Sequence, residues 1–101
     1  MSETAAEFGA AVIFSEHRYF GESLPFGNET FVVWNDSYIS VKNIGYLSAE
    51  QAMADFALLI VYLKETRLSN ALNSPVIAVG GSYGGDLAAW MRIKVNIVVY
   101  I

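Results

Sequence analysis

Apolar positions follow two rhythms along this chain. Ala10-Ala11-Val12-Ile13-Phe14 and Pro75-Val76-Ile77-Ala78-Val79 are short apolar runs without polar interruption. Continuous rather than alternating apolar character belongs to strands covered on both faces, as in a parallel sheet. Pro75 opens its run, a position where a strand tolerates the missing N–H. Between the runs, Ala52, Phe56, Leu59, Ile60 and Leu63 recur at helical spacing and predict a helix from Ser48 to about Thr66. Ser48-Ala49-Glu50-Gln51 supplies a capping box, with Ser48 as N-cap and Gln51 at the third helical position. Leu58, Val61 and Tyr62 widen the apolar face, and Lys64, Glu65 and Arg67 mark its exposed end. Asp86 to Lys94 contains helix formers and no breaker, with Trp90 placed in the core. Thr4 to Phe8 reads as the end of another helix, with Gly9 as its C-cap. Asn96 to Ile101 opens a further apolar strand. Ser15 to Gly27 is polar and turn-rich, and a long loop continues to about Leu47. A loop of that length usually covers something or carries function. The order strand, loop, helix, strand, turn, helix, strand predicts a three-layer α/β fold with a mainly parallel sheet.

Composition sharpens this picture. The chain has 101 residues, enough for one small domain. It is 54% hydrophobic and 16% charged, richer in apolar residues than a free-standing domain of this size and suited to one piece of a larger core. The net charge is −4 and no basic stripe exists, which argues against nucleic acid as a partner. The chain has no cysteine, so a disulfide framework and a cysteine-ligated metal are excluded, and neither metal nor cofactor is expected. No apolar run reaches the ~18 residues of a membrane-spanning helix, so no membrane insertion is expected. The start, Met1-Ser2-Glu3-Thr4-Ala5-Ala6-Glu7, is acidic and lacks the positive region of a secretory signal. On that reading the protein stays inside the cell, or Met1 is not the start of its natural precursor.

The chemistry concentrates in Gly80-Gly81-Ser82-Tyr83-Gly84-Gly85. The hexapeptide contains G-x-S-x-G between a predicted strand and a predicted helix, the context of a nucleophile elbow. A serine hydroxyl becomes a useful nucleophile when a tight turn holds it out beside a general base. The flanking glycines let the backbone close on itself. The following helix aims its N-terminal amides and dipole at negative charge developing near the serine. The glycines do not make a phosphate loop, because no lysine follows in the Walker position.

A second segment makes the pattern more specific. Glu16-His17-Arg18-Tyr19-Phe20-Gly21-Glu22-Ser23-Leu24-Pro25-Phe26-Gly27, then Leu47 to Ala57, then Pro75 to Trp90, together resemble the lysosomal Pro-X carboxypeptidase and dipeptidyl peptidase II family of serine exopeptidases. The resemblance covers nearly the whole chain and is weakest between Val32 and Gly45 and at both ends. It implies an α/β-hydrolase core with an added helical domain, and cleavage of peptides that carry proline near one terminus. It implies a lysosomal or secreted parent and admits a homodimer. Ser82 matches the family nucleophile, and the amide of Tyr83 matches one oxyanion donor. Glu16, His17 and Arg18 are expected to hold their loop beside the active-site face. Two departures stand out. Asp86 occupies a position where the family carries an apolar residue, and its charge near an oxyanion is expected to weaken catalysis. Lys94-Val95-Asn96 replaces a tyrosine-proline pair before the asparagine.

In this fold the acid and the histidine follow the serine. The one histidine, His17, precedes Ser82. A triad of Ser82, His17 and Asp55 has the wrong chain order. Asp55 reads instead as a partner for Arg18 or as solvent-exposed. Residues 1–101 are therefore expected to be part of a catalytic domain. The cap domain, the oxyanion strand and the Asp/His segment are expected to lie outside these residues, with Ser82 expected to be unactivated in this piece. Ala10–Phe14 and Val76–Val79 match family strands that flank a strand absent here, so the isolated chain is expected to be molten or aggregated. An esterase or lipase of the same fold, and a non-catalytic product, are the alternatives. Asn28-Glu29-Thr30 and Asn35-Asp36-Ser37 match the glycosylation sequon. Glu16 and Glu22 form a weak candidate acid-base pair, with loop anchoring preferred. Trp34 and Tyr38 are read as loop packing ahead of pocket lining.

Overall fold

The structure, a computed structural model, describes residues 2–30, 32–34, 38–40, 43–95 and 99–100. Helix α1 spans Ser2–Glu7. Gly9 has φ +60°, with Gly9 N–H on the Ala6 carbonyl at 3.1 Å and Ala10 N–H on that of Ala5 at 2.8 Å. This is a Schellman ending, so Gly9 terminates the helix as the sequence predicts.

Helix α2 spans Ala49–Thr66, and the Ser48 side chain accepts from Gln51 N–H at 3.3 Å. Half of the predicted capping box is thus formed. The Gln51 side-chain oxygen accepts from Arg18 instead. At the other end, Lys64 is not simply an exposed terminus. Its ammonium donates to the carbonyls of Leu72 at 3.1 Å and Ser74 at 2.6 Å, fixing the loop that leads to the next strand. A cation there also suits the negative end of the helix dipole.

Helix α3 spans Tyr83–Lys94 and packs on α2. Met53, Leu87 and Met91 form the centre of this contact, with Phe56, Ala57 and Ile60 half-buried around it. Met53 lies outside the predicted stripe, yet it is buried deeper than Phe56, Leu59 or Ile60. Thioether side chains fill irregular gaps of this kind. Trp90, expected in the core, is 41% exposed because Leu87 and Met91 already occupy the face toward α2.

The sheet departs most from expectation. Strands β1 (Val32–Trp34) and β2 (Tyr38–Ser40) pair antiparallel, with Val33 opposite Ile39, inside the segment predicted as a loop. Strand β3 is only Val76–Ile77, and it pairs in parallel with β4, Val99–Tyr100. The parallel pairing agrees with the predicted topology, although residues 96–98 and 101 of the last predicted strand lie outside the described set. Ala10–Phe14 forms no strand. A strand exists only through its ladder, and no described strand lies beside this run. Val12, Ile13 and Phe14 are exposed there, as are Ile77 and Val79. Layers on both faces of a parallel sheet are therefore not assembled among the described residues.

The chain is correspondingly open. Its radius of gyration is 16.3 Å, against about 13 Å for a compact domain of this length. Leu58, Val61, Tyr62 and Ile93 add to the exposed apolar surface. No helix among the described residues is long and apolar enough to cross a membrane. The 101-residue chain is expected to bind anilinonaphthalene sulfonate strongly and to melt without a cooperative transition. A sharp, two-state thermal transition in a monomer is the opposite result.

Candidate active site

Ser82 stands between β3 and α3 with φ +53° and ψ −130°. A non-glycine residue in that region is strained by about 1–3 kcal/mol and persists only where its surroundings impose it. The imposing contact is Gly80. A Cβ built there would lie 2.2 Å from the Gly84 carbonyl oxygen and 2.7 Å from Gly85 N. The incoming strand thus presses backbone against backbone on the first turn of α3. Gly85 is the tighter of the remaining glycines, since a Cβ added to it would lie 3.2 Å from the Gly80 oxygen, whereas Gly81 and Gly84 face open space. Hydrogen bonds close the turn: Gly84 N–H to Gly81 O at 3.0 Å, Gly85 N–H to Ser82 O at 2.8 Å and Asp86 N–H to Ser82 O at 3.2 Å.

The Ser82 side chain is exposed and does not cap α3. Tyr83 is the first residue of the helix, so its N–H has no carbonyl four residues back and points outward with the dipole. Asp86 is exposed on the first turn. The geometry offers a projecting hydroxyl, a helix N-terminus and an outward amide at one point.

The Glu16–Ser23 segment reaches this point through His17. Its Nε2 lies 3.2 Å from the Tyr83 hydroxyl and its Nδ1 2.7 Å from the Arg18 carbonyl oxygen. Phe20 and Phe56 meet the imidazole edge-on, with ring centroids 5.3 and 6.3 Å away. Arg18 turns toward α2. It donates to both carboxylate oxygens of Asp55 at 2.6 and 2.7 Å, to the Tyr46 carbonyl at 3.1 Å and to Gln51. This fork holds the guanidinium more firmly protonated, chiefly through the Asp55 hydrogen bonds. It also engages both oxygens of Asp55 with arginine, so the carboxylate is committed away from His17.

Glu16 organises the loop from within. It accepts from the N–H groups of Ser23 at 2.8 Å and Glu22 at 3.1 Å. The Ser23 hydroxyl lowers its pKa most, desolvation opposes this, and the two amides add smaller lowering contributions. Gly21 makes room for the carboxylate: it has φ +58°, and a Cβ would overlap Glu16 Oε1. Glu22 offers its backbone rather than its carboxylate, so the two glutamates are not arranged as an acid-base pair. Tyr19, buried with φ +73°, donates its hydroxyl to the Asn43 carbonyl. Sequence reasoning singles out neither Gly21 nor the Tyr83 hydroxyl. The G-E-S step after an aromatic pair is the available signal for the first; nothing local marks the second. Asn28 is exposed in a short 3-10 turn over Gly27–Glu29. Asn35 lies outside the described residues, as do the side chains of Trp34 and Tyr38.

A family model for serine carboxypeptidase S28 matches residues 1–100. The chain belongs to the serine carboxypeptidase S28 family. Lysosomal Pro-X carboxypeptidase of Pongo abelii is 54% identical over 93% of this chain, and that of Homo sapiens 53% identical over the same share. The prolyl carboxy peptidase like protein 5 of Caenorhabditis elegans is 50% identical, again over 93% of the chain. The chain spans 17% of the length of each of these relatives. The S28 family is a serine-peptidase family of α/β-hydrolase type.

Two outcomes follow from the turn and the loop. In a full-length S28 protein carrying this segment, Gly80→Ala is expected to abolish any fluorophosphonate labelling of the serine. Gly84→Ala, in open space on a helix, is expected to leave the melting temperature unchanged or raised. A lowered carboxyl pKa gives stability that is complete above the ordinary glutamate range and lost as pH falls through the lowered value. Hydrogen-exchange protection of the Glu22 and Ser23 amides should therefore survive mild acid and disappear only below that range. Glu16→Gln should flatten the dependence.

Proposed function

We propose that this segment carries the nucleophile of a serine exopeptidase that cleaves peptides next to proline. The observation that carries the reading is Ser82 at positive φ on a strand–turn–helix, inside a chain of the S28 family. In the complete protein the segment belongs to a three-layer core with a mainly parallel sheet. There β3 and β4 are extended, and Ala10–Phe14 gains its ladder.

In that setting Ser82 Oγ attacks the scissile carbonyl, and a histidine from outside these residues takes its proton. The developing oxyanion sits against the Tyr83 N–H and the positive end of α3. The histidine returns the proton to the leaving amine, and a water then hydrolyses the acyl-enzyme by the same steps in reverse. Residues 1–101 alone do not perform this cycle, since their one histidine is engaged with Arg18 and Tyr83. Asp86 places a negative charge one turn from the oxyanion and opposes the dipole there.

The names of the relatives above favour the carboxyl end of the substrate over the amino end. The same names support a lysosomal parent, consistent with glycosylation at Asn28 and Asn35. A homodimeric parent is part of this reading. An esterase of the same fold is disfavoured by the match of residues 1–100 to a serine carboxypeptidase family.

The test is hydrolysis by the full-length protein of a peptide with proline in the penultimate position, beside a p-nitrophenyl ester. Peptide cleavage should dominate. Ser82→Ala should lower kcat on the order of 10⁴-fold or more. The 101-residue chain should not label with a fluorophosphonate. Unimpaired peptide cleavage by Ser82→Ala removes the proposal.

A further inference from the structure

The turn at Ser82 has a contact beyond its own residues, through a side chain 66 residues away from Tyr83 in sequence. The Arg18 carbonyl oxygen can only accept, so His17 Nδ1, at 2.7 Å, carries the ring proton. In the neutral ring Nε2 is then a bare acceptor, and the Tyr83 hydroxyl donates to it at 3.2 Å. The ring is held in this orientation from both ends. Phe20 and Phe56 meet it edge-on, and the neighbouring Arg18 is forked onto Asp55 of α2. The sequence of contacts runs from α2 through Arg18 and His17 to the Tyr83 side chain. Tyr83 then shares a peptide group with Ser82, and its amide is the outward donor at the start of α3.

We infer that His17, as the Nδ1–H tautomer, is a positioning residue that fixes the Tyr83 peptide, and with it the oxyanion donor and Ser82, through the Tyr83 hydroxyl. This rests on the serine-peptidase reading above. His17 touches neither the serine nor the substrate in this role. It sets the direction of an amide whose hydrogen bond strengthens only as charge develops, so its loss should appear in kcat and not in KM.

The experiment uses the full-length protein and a peptide with penultimate proline. Tyr83→Phe removes only the hydroxyl from a side chain that is 47% exposed, so folding is preserved. His17→Asn can reproduce the bond to Arg18 but is too short for Tyr83, whereas His17→Gln carries an acceptor near the Nε2 position. A misplacement of up to an ångström near the chemistry costs on the order of 10²-fold. We expect kcat to fall about ten- to a hundredfold in Tyr83→Phe and His17→Asn, with KM within about threefold. His17→Gln should recover most of the loss. His17→Asn/Tyr83→Phe should be no worse than the poorer single variant, because both remove one contact. If His17→Asn does not fold, Tyr83→Phe and His17→Gln still decide. Tyr83→Phe within about twofold of wild type, or losses that multiply in the double variant, overturn the inference while Ser82→Ala still abolishes activity. Activity retained in Ser82→Ala overturns the functional reading itself.

Discussion

The organisation of this chain depends on how closely Gly80 approaches the first turn of α3. Gly84 O would stand 2.2 Å from a Cβ at that position, well inside van der Waals contact. The chain entering the turn can therefore meet the helix backbone only where it carries no Cβ, at Gly80. Two residues, Gly81 and Ser82, then join Gly80 to the start of α3, and Ser82 takes φ +53°. The projecting hydroxyl and the outward Tyr83 amide are consequences of that junction. Turn propensity does not account for the serine; serine at positive φ is disfavoured, and the glycines around it absorb the misfit.

Strain of about 1–3 kcal/mol must be outweighed by contacts that would be lost if the turn relaxed. Burial of Met53, Leu87 and Met91 between α2 and α3 is the largest available term, since a fully buried side chain of this size contributes about 1.5–3 kcal/mol. The Arg18–Asp55 pair is weaker. With the Asp55 side chain 43% exposed, such a pair is worth about 0–1 kcal/mol, although its bidentate geometry places it toward the upper end. The division of labour is physical. Apolar packing holds α3 against α2 but is indifferent to small sliding. Directional bonds from Arg18 and His17 fix the orientation that packing leaves soft.

Local features are legible in the sequence to the extent that their causes are local. Gly9 ending α1, Ser48 capping α2 and the glycines around Ser82 each act within a few residues, and each stands where the pattern predicts. The half-made capping box shows the limit, because Gln51 is taken by Arg18, 33 residues earlier in the chain. The hairpin of β1 and β2 stands where the pattern predicts a loop, although Val-Val-Trp and Tyr-Ile-Ser flank an Asn-Asp-Ser step. The scattered polar residues there mask a β-branched and aromatic signal that is present. Met53 falls outside the predicted stripe for a related reason. Helical spacing identifies a stripe, whereas the position of α3 across that stripe decides which edge is covered. In the site, the motif marks the serine that takes positive φ and the amide that opens α3. It is not enough for the Tyr83 hydroxyl, since that partner is fixed by tertiary packing alone.

The failure of Ala10–Phe14 to form a strand separates two kinds of structural information. The elbow forms because its determinants, Gly80, Gly85 and the helix that follows, all lie within one short stretch. The sheet strand does not, because every backbone bond that defines it must come from another strand, and an extended run without a ladder has no reason to stay ordered. The same distinction governs the chemistry. Geometry that a turn can impose, a projecting hydroxyl and an outward amide, is complete within these residues. A proton acceptor for the hydroxyl is not a property of the turn, and the one imidazole near it is turned toward Tyr83 and Arg18. Nucleophile and base in this fold therefore come under different constraints. On the proposed reading, the first depends on a strained local turn, and the second on packing between elements far apart in sequence.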